Sequence, residues 1–118
     1  MKKVEAIIRK TKFDEVKEAL KEAGIEFITF WNVRGVGKDS QKRVYRGVMY
    51  DTSTIERVMI NFICREQYLE PAIKALLSSA KTGEIGDGKI FVSEISDGFR
   101  IRTGEHGDVS VFLEENNV

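Results

Sequence analysis

Twice along this chain an alternating apolar run gives way to a helical stripe, and that repetition limits the possible folds more than any single motif. Lys3 to Arg9 alternates, with Val4, Ala6 and Ile8 on one face and Ile7 on the other. Lys12 to Ala23 switches to helical spacing. Phe13, Val16, Ala19, Leu20 and Ala23 form an apolar stripe among charged residues, and Gly24 is placed to stop the helix. Ile25 to Arg34 reads as a strand, with Phe27, Thr29, Trp31 and Val33 opposite Ile28 and Phe30. From Arg57 to Arg65 the alternation returns, Val58, Ile60, Phe62 and Cys64 against Met59, Asn61 and Ile63. Gln67 to Ala80 carries the second stripe, through Leu69, Ala72, Ile73, Leu76 and Ala80. Pro71 fits such a helix in its first turn, where the missing N–H is not needed. Lys89 to Val92 and Gly98 to Arg102 read as further short strands, before a polar tail with one apolar stretch at Val109 to Leu113.

The order β-α-β, long loop, β-α-β predicts an α+β fold of the ferredoxin-like, double βαβ type: an antiparallel sheet with two helices on one face. The chain of 118 residues makes one domain, residues 1–108, followed by a tail, 109–118. Between Gly35 and about Ile55 the periodicity fails. An irregular stretch of that length inside a compact domain is expected to be functional. Two helices cover one sheet face, so Ile7, Ile28, Phe30, Met59 and Ile63 are expected to leave an apolar surface on the other. A homo-oligomer packed sheet to sheet would cover it.

Lys plus Arg and Asp plus Glu both number 19, so no bulk positive field favours nucleic acid. The single cysteine, Cys64, has no partner for an internal disulfide, and neither a signal peptide nor a membrane span is evident. The expected location is the cytoplasm, with any membrane contact made through a partner protein.

The stretch most suggestive of chemistry is Thr82-Gly83-Glu84-Ile85-Gly86-Asp87-Gly88-Lys89-Ile90-Phe91-Val92. Three glycines in the six residues from Gly83 to Gly88, followed by a lysine, suit a backbone whose N–H groups gather around an anion. Gly83-x-x-x-x-Gly88-Lys89 matches most of a phosphate-binding P-loop, but Ile90 stands where Ser or Thr is required. The context is also reversed, because this loop leaves a helix and enters a strand. The competing reading is a helix C-cap and tight turn. Arg100 and Arg102, two apart on an expected strand, would send both guanidiniums to one side with Ile101 opposite. Gly35-Val36-Gly37 lacks the third glycine of a dinucleotide fingerprint and reads as a hinge. His106 sits in a polar tail without an evident partner, and Cys64 lies in a core pattern. No acid pair, nucleophile–base set or metal-spaced Cys/His cluster emerges, so the expectation is a binding protein and not an enzyme.

With the glycine stretch, Arg100-Ile101-Arg102-Thr103-Gly104-Glu105 and the opening Met1-Lys2-Lys3-Val4-Glu5-Ala6-Ile7-Ile8-Arg9 in hand, the chain resembles the PII nitrogen-regulatory signal-transduction proteins over residues 1 to about 108. The resemblance implies a homotrimer of ferredoxin-like subunits binding ATP or ADP in each intersubunit cleft. It implies that Gly86, Asp87, Gly88 and Lys89 cradle the phosphates, joined by Arg100 and Arg102 of a neighbouring subunit. Gly35, Gly37 and Lys38 would line the cleft from the root of the long loop, with Ile7, Thr29 and Cys64 near its base. The long loop, at about residues 36–55, corresponds to the family's T-loop, which contacts partners such as ammonium transporters or enzymes of nitrogen metabolism. Tyr50 matches a position some members modify, with Tyr45 and Arg46 beside it.

In many members 2-oxoglutarate binds with Mg²⁺-ATP at the loop root, where this chain has Lys38, Asp39, Gln41, Arg57 and Gly86. Lys38-Asp39 replaces the usual Arg-Gln or Lys-Gln, and Asp39 could ligate Mg²⁺ while repelling a dicarboxylate. Two other readings stand beside this one: a small nucleotide-hydrolysing enzyme using Asp39 or Asp87 as base, and an interaction module without effector sensing.

Overall fold

A computed structural model describes residues 1–36, 42–45, 48–51 and 55–111. The elements are β1 (Lys2–Ile8), α1 (Phe13–Glu22), β2 (Thr29–Gly35), β3 (Lys42–Tyr45), β4 (Val48–Asp51), β5 (Ile55–Cys64), α2 (Glu66–Ala80) and β6 (Gly88–Glu94). The four longer strands form one antiparallel sheet in the order β2-β5-β1-β6, the ferredoxin-like arrangement. Both helices cover one face. Val4, Ala6 and Ile8 of β1 and Val58, Ile60, Phe62 and Cys64 of β5 meet Val16 and Leu20 of α1 and Ala72, Leu76 and Ala80 of α2 in a single core. The alternation read in β1 and β5 is therefore the core pattern.

Helix α1 ends where expected. Gly24 adopts φ +94° and its N–H bonds to Lys21 O, while Ile25 N–H reaches back to Leu20 O and Ile25 drops into the core. Pro71 departs from its expected place. Because α2 begins at Glu66, the proline is its sixth residue, in the second turn, and removes the bond that Gln67 O would accept there.

Strand β2 presents the opposite face from that expected. Phe30 pairs with Ile60, so it points toward the helices, and its ring lies tilted against that of Phe13 with centroids 4.5 Å apart. Ile28 likewise packs on the core. Trp31 and Val33 occupy the open face instead, because their partners Met59 and Arg57 do. The ladder aligns Trp31, Met59, Ile7 and Lys89 in one row across the open face, and Thr29, Asn61, Glu5 and Phe91 in the next. Trp31 and Ile63 are 43% and 38% exposed, so this face is apolar and bare in a single chain.

The stretch expected to be irregular contains a two-stranded hairpin, β3 with β4, on which Tyr45 pairs with Val48 and Tyr50 with Arg43. Gly37, Lys38, Asp39, Gln41 and Arg46 lie outside the described residues. Gly98 to Arg102 is not a strand. Phe99 makes a single bridge to His106, and residues 101–103 form a turn that leaves Ile101 fully exposed. The glycines at either end and the Thr103-Gly104 turn prevent a ladder from extending. The tail opens with a 3-10 turn at Asp108–Val111. Among the described residues no helix is long and apolar enough to cross a membrane.

Candidate functional site

The glycine stretch links the end of α2 to the start of β6 and is braced from inside. Asp87 accepts hydrogen bonds from Thr82 N–H at 2.8 Å, from Gly83 N–H at 2.8 Å, and from the Thr82 hydroxyl. Arg9, just past β1, donates Nε to Asp87 Oδ1 at 3.0 Å and Nη2 to Ile85 O at 3.0 Å. Arg57 of β5 donates Nη2 to Gly86 O at 3.1 Å. The Thr82 hydroxyl, then Arg9, then the Thr82 amide hold the Asp87 carboxyl far below the usual carboxylate range. The Asp87 side chain is thus the loop's internal brace. The Thr82 and Gly83 amides are satisfied by it and that of Glu84 by the Thr82 hydroxyl. An anion would therefore be met by the stretch from Gly86 to Gly88 and by Lys89.

Two glycines are required by geometry. Gly88 has φ +106°, and a Cβ there would fall 1.7 Å from Ile7 O, because the loop enters the sheet directly against β1. Gly86 has φ +98°, and a Cβ would lie 3.1 Å from Arg57 Nη2 and 3.4 Å from Arg9 Nη2. Two guanidiniums therefore converge beneath Gly86 with one carboxylate between them. Burial, and then the like charge of Arg9, draw Arg57 below the ordinary arginine value, while Asp87 offsets part of this. A net positive seat under a glycine-rich backbone fits a phosphate or carboxylate.

Ile7, Asp87, Gly88 and Lys89 line one open cleft of about 920 Å³, with Ile73 and Leu77 of α2 on its other side. A second cleft, of about 660 Å³, contains Thr29, Cys64 and Arg100. The expected site residues thus form two separate groups. Lys89 and Ile7 share a row with Met59, and Cys64 lies five residues further along β5, roughly 17 Å away. No single phosphate can touch both groups in one chain. Arg102 is exposed in the turn, and Gly35 ends β2 paired with Ile55, at the same end of the sheet as the glycine loop. Cys64 is buried on the helix side, and burial raises its thiol pKa, as suits packing and not a nucleophile.

Arg100 reaches the second cleft from a loop closed on itself. The chain leaving β6 crosses Met1, where Ile95 N–H donates to Met1 O at 3.1 Å. Arg100 N–H then donates to Glu105 O at 2.8 Å, and Arg100 Nη1 lies 3.6 Å from Glu105 Oε1. His106 has the partner that was not evident in the sequence: its Nδ1 is 3.1 Å from Asp97 Oδ2. Sequence reasoning missed Arg9 and Asp97. The Thr82…Asp87 spacing was the available signal for an internally braced turn, whereas nothing local marks Arg9, which acts 78 positions away from its own.

Comparison with known proteins places the chain in a family and agrees with its fold. The sequence model described as "Nitrogen regulatory protein P-II" matches residues 1–105. A protein of that name from Rhodobacter capsulatus is 46% identical over 112 residues, 94% of this chain and 100% of the relative. Another from Synechocystis is 48% identical over 106 residues, 89% of this chain and 95% of the relative. Among solved structures, "Structure of B. subtilis GlnK" superposes with a TM-score of 0.77 at 34% identity, covering 92% of this chain and 96% of that one. The chain belongs to the nitrogen regulatory protein P-II family, whose members act in signal transduction for nitrogen regulation.

Proposed function

We propose that this chain is the subunit of a homotrimeric sensor that binds ATP or ADP between subunits and regulates an ammonium transporter or a nitrogen-metabolism enzyme through the loop at about residues 36–55. One observation carries the reading. The glycine loop with Lys89 and the cleft with Arg100 lie at opposite ends of one sheet, a separation that supports a phosphate site made of two halves from different subunits. The bare apolar face with Trp31, Met59, Ile7 and Ile63 supplies a surface for that assembly.

Within the shared site, the backbone from Gly86 to Gly88 and Lys89 bind the phosphates, and Arg100 and Arg102 of the neighbour neutralise them. Mg²⁺ would enter with ATP, with Asp39 as a candidate ligand. The 2-oxoglutarate response rests on Arg57, whose guanidinium already reaches Gly86 O. Asp87 is poorly suited to act as a hydrolytic base, because its carboxylate is occupied by four donors and strongly acidic. Titration calorimetry with ATP and ADP, with and without 2-oxoglutarate, tests the proposal. Saturable binding of at least one nucleotide is expected, and no binding of either at millimolar concentration would overturn it.

A further inference from the structure

Asp97 and His106 close the base of the loop that carries Arg100 and Arg102. Asp97 Oδ1 accepts the N–H of Gly98 at 2.8 Å and of Gly107 at 3.0 Å, while Oδ2 meets His106 Nδ1. The His106 ring stacks on Phe99 with centroids 5.1 Å apart, and the two residues form the bridge that starts the loop. One step further out, Arg100 N–H donates to Glu105 O and Gly104 N–H to Arg100 O. The backbone that carries Arg100 is therefore held by a pairing whose base is fixed by Asp97 and His106.

Among the described residues, three groups stand near His106. Asp97 faces its ring, Phe99 covers one side, and Asp108 begins the 3-10 turn that follows. Glu105, its chain neighbour, is turned to Arg100 and Thr103. The His106 side chain is 64% exposed and open to solvent. Protonation makes Nδ1 a donor to the Asp97 carboxylate whichever tautomer the neutral ring holds, and adds the attraction of opposite charges to that bond.

We propose that Asp97 and His106 are positioning residues for Arg100, forming a clamp that tightens on protonation, so that nucleotide binds more strongly when His106 carries its proton. The proposal rests on the nucleotide reading above. Because such coupling is reciprocal, binding also takes up protons.

The test is calorimetric titration of ADP and ATP at about pH 6 and about pH 8. It compares the unaltered trimer with His106→Gln and Asp97→Asn, which cancels the nucleotide's own titration. The unaltered protein should gain about threefold or more in affinity toward acid relative to either variant. The same pH ratio in all three proteins would overturn the clamp. If the unaltered protein binds neither nucleotide, the nucleotide reading fails, and the clamp is judged separately by hydrogen exchange at the Arg100 amide. Faster exchange in both variants supports it, and unchanged protection overturns it. His106→Gln alters an exposed side chain and keeps the test valid should Asp97→Asn fold poorly.

Discussion

Arg9 Nε donates to Asp87 Oδ1 at 3.0 Å, tying the residue after β1 to the carboxylate that braces the glycine loop. Arg9→Ala removes one of four donors to Asp87 and frees Ile85 O as well. Nucleotide affinity should fall on the order of tenfold through loss of loop order, with the sheet unaffected. Calorimetry gives the affinity, and amide exchange at residues 82–88 locates the loosening.

The same brace sets a pH dependence. The folded pKa of Asp87 is depressed, so the stabilisation it gives is fully present above the unfolded value of about 3.9 and is lost as pH falls toward the much lower folded value. The Thr82 and Gly83 amides should therefore stay protected well below the range in which ordinary aspartates titrate. An NMR pH series showing release of these amides at the usual aspartate range would contradict the assignment.

Gly88→Ala places a methyl group 1.7 Å from Ile7 O at φ +106°, and should cost at least about 2 kcal/mol or prevent folding. Gly35→Ala meets nothing within 4 Å and should stay within about 0.5 kcal/mol of the unaltered protein. Urea denaturation of the pair measures the contrast.

Much of this fold was legible because β1 and β5 alternate cleanly and each helix has one stripe. Strand β2 was not, because Phe27 to Trp31 carries large apolar groups at both parities. Only the pairing of Phe30 with Ile60 and its contact with Phe13 decide which set is inside. Four-residue strands such as β3 and β4 are too short for a period to register. The glycine loop announced its composition but not its bracing, which depends on Arg9 and Arg57 brought in from distant positions in the chain. The link between Asp97 and His106 spans nine positions and has no spacing rule to reveal it.

Met59 lies between Trp31 and Ile7 on the bare face. If this face is the assembly surface, Met59→Asp should break the trimer, and the exposed Trp31 should shift its fluorescence to the red. Sedimentation at micromolar concentration reads the assembly directly, with a stable unaltered monomer as the contrary result.

The most direct test mixes two damaged subunits. Lys89→Ala alone should weaken nucleotide binding by about 1.5–3 kcal/mol, as for a charged hydrogen bond, and Arg100→Ala should weaken it comparably. After the two variants are unfolded together and reassembled, a site regains wild-type affinity wherever an intact glycine loop faces an intact Arg100 of the neighbour. Random assembly makes that about a quarter of the sites. Recovery of about a quarter of the high-affinity sites is the expected result, and no recovery would contradict a phosphate site shared between subunits.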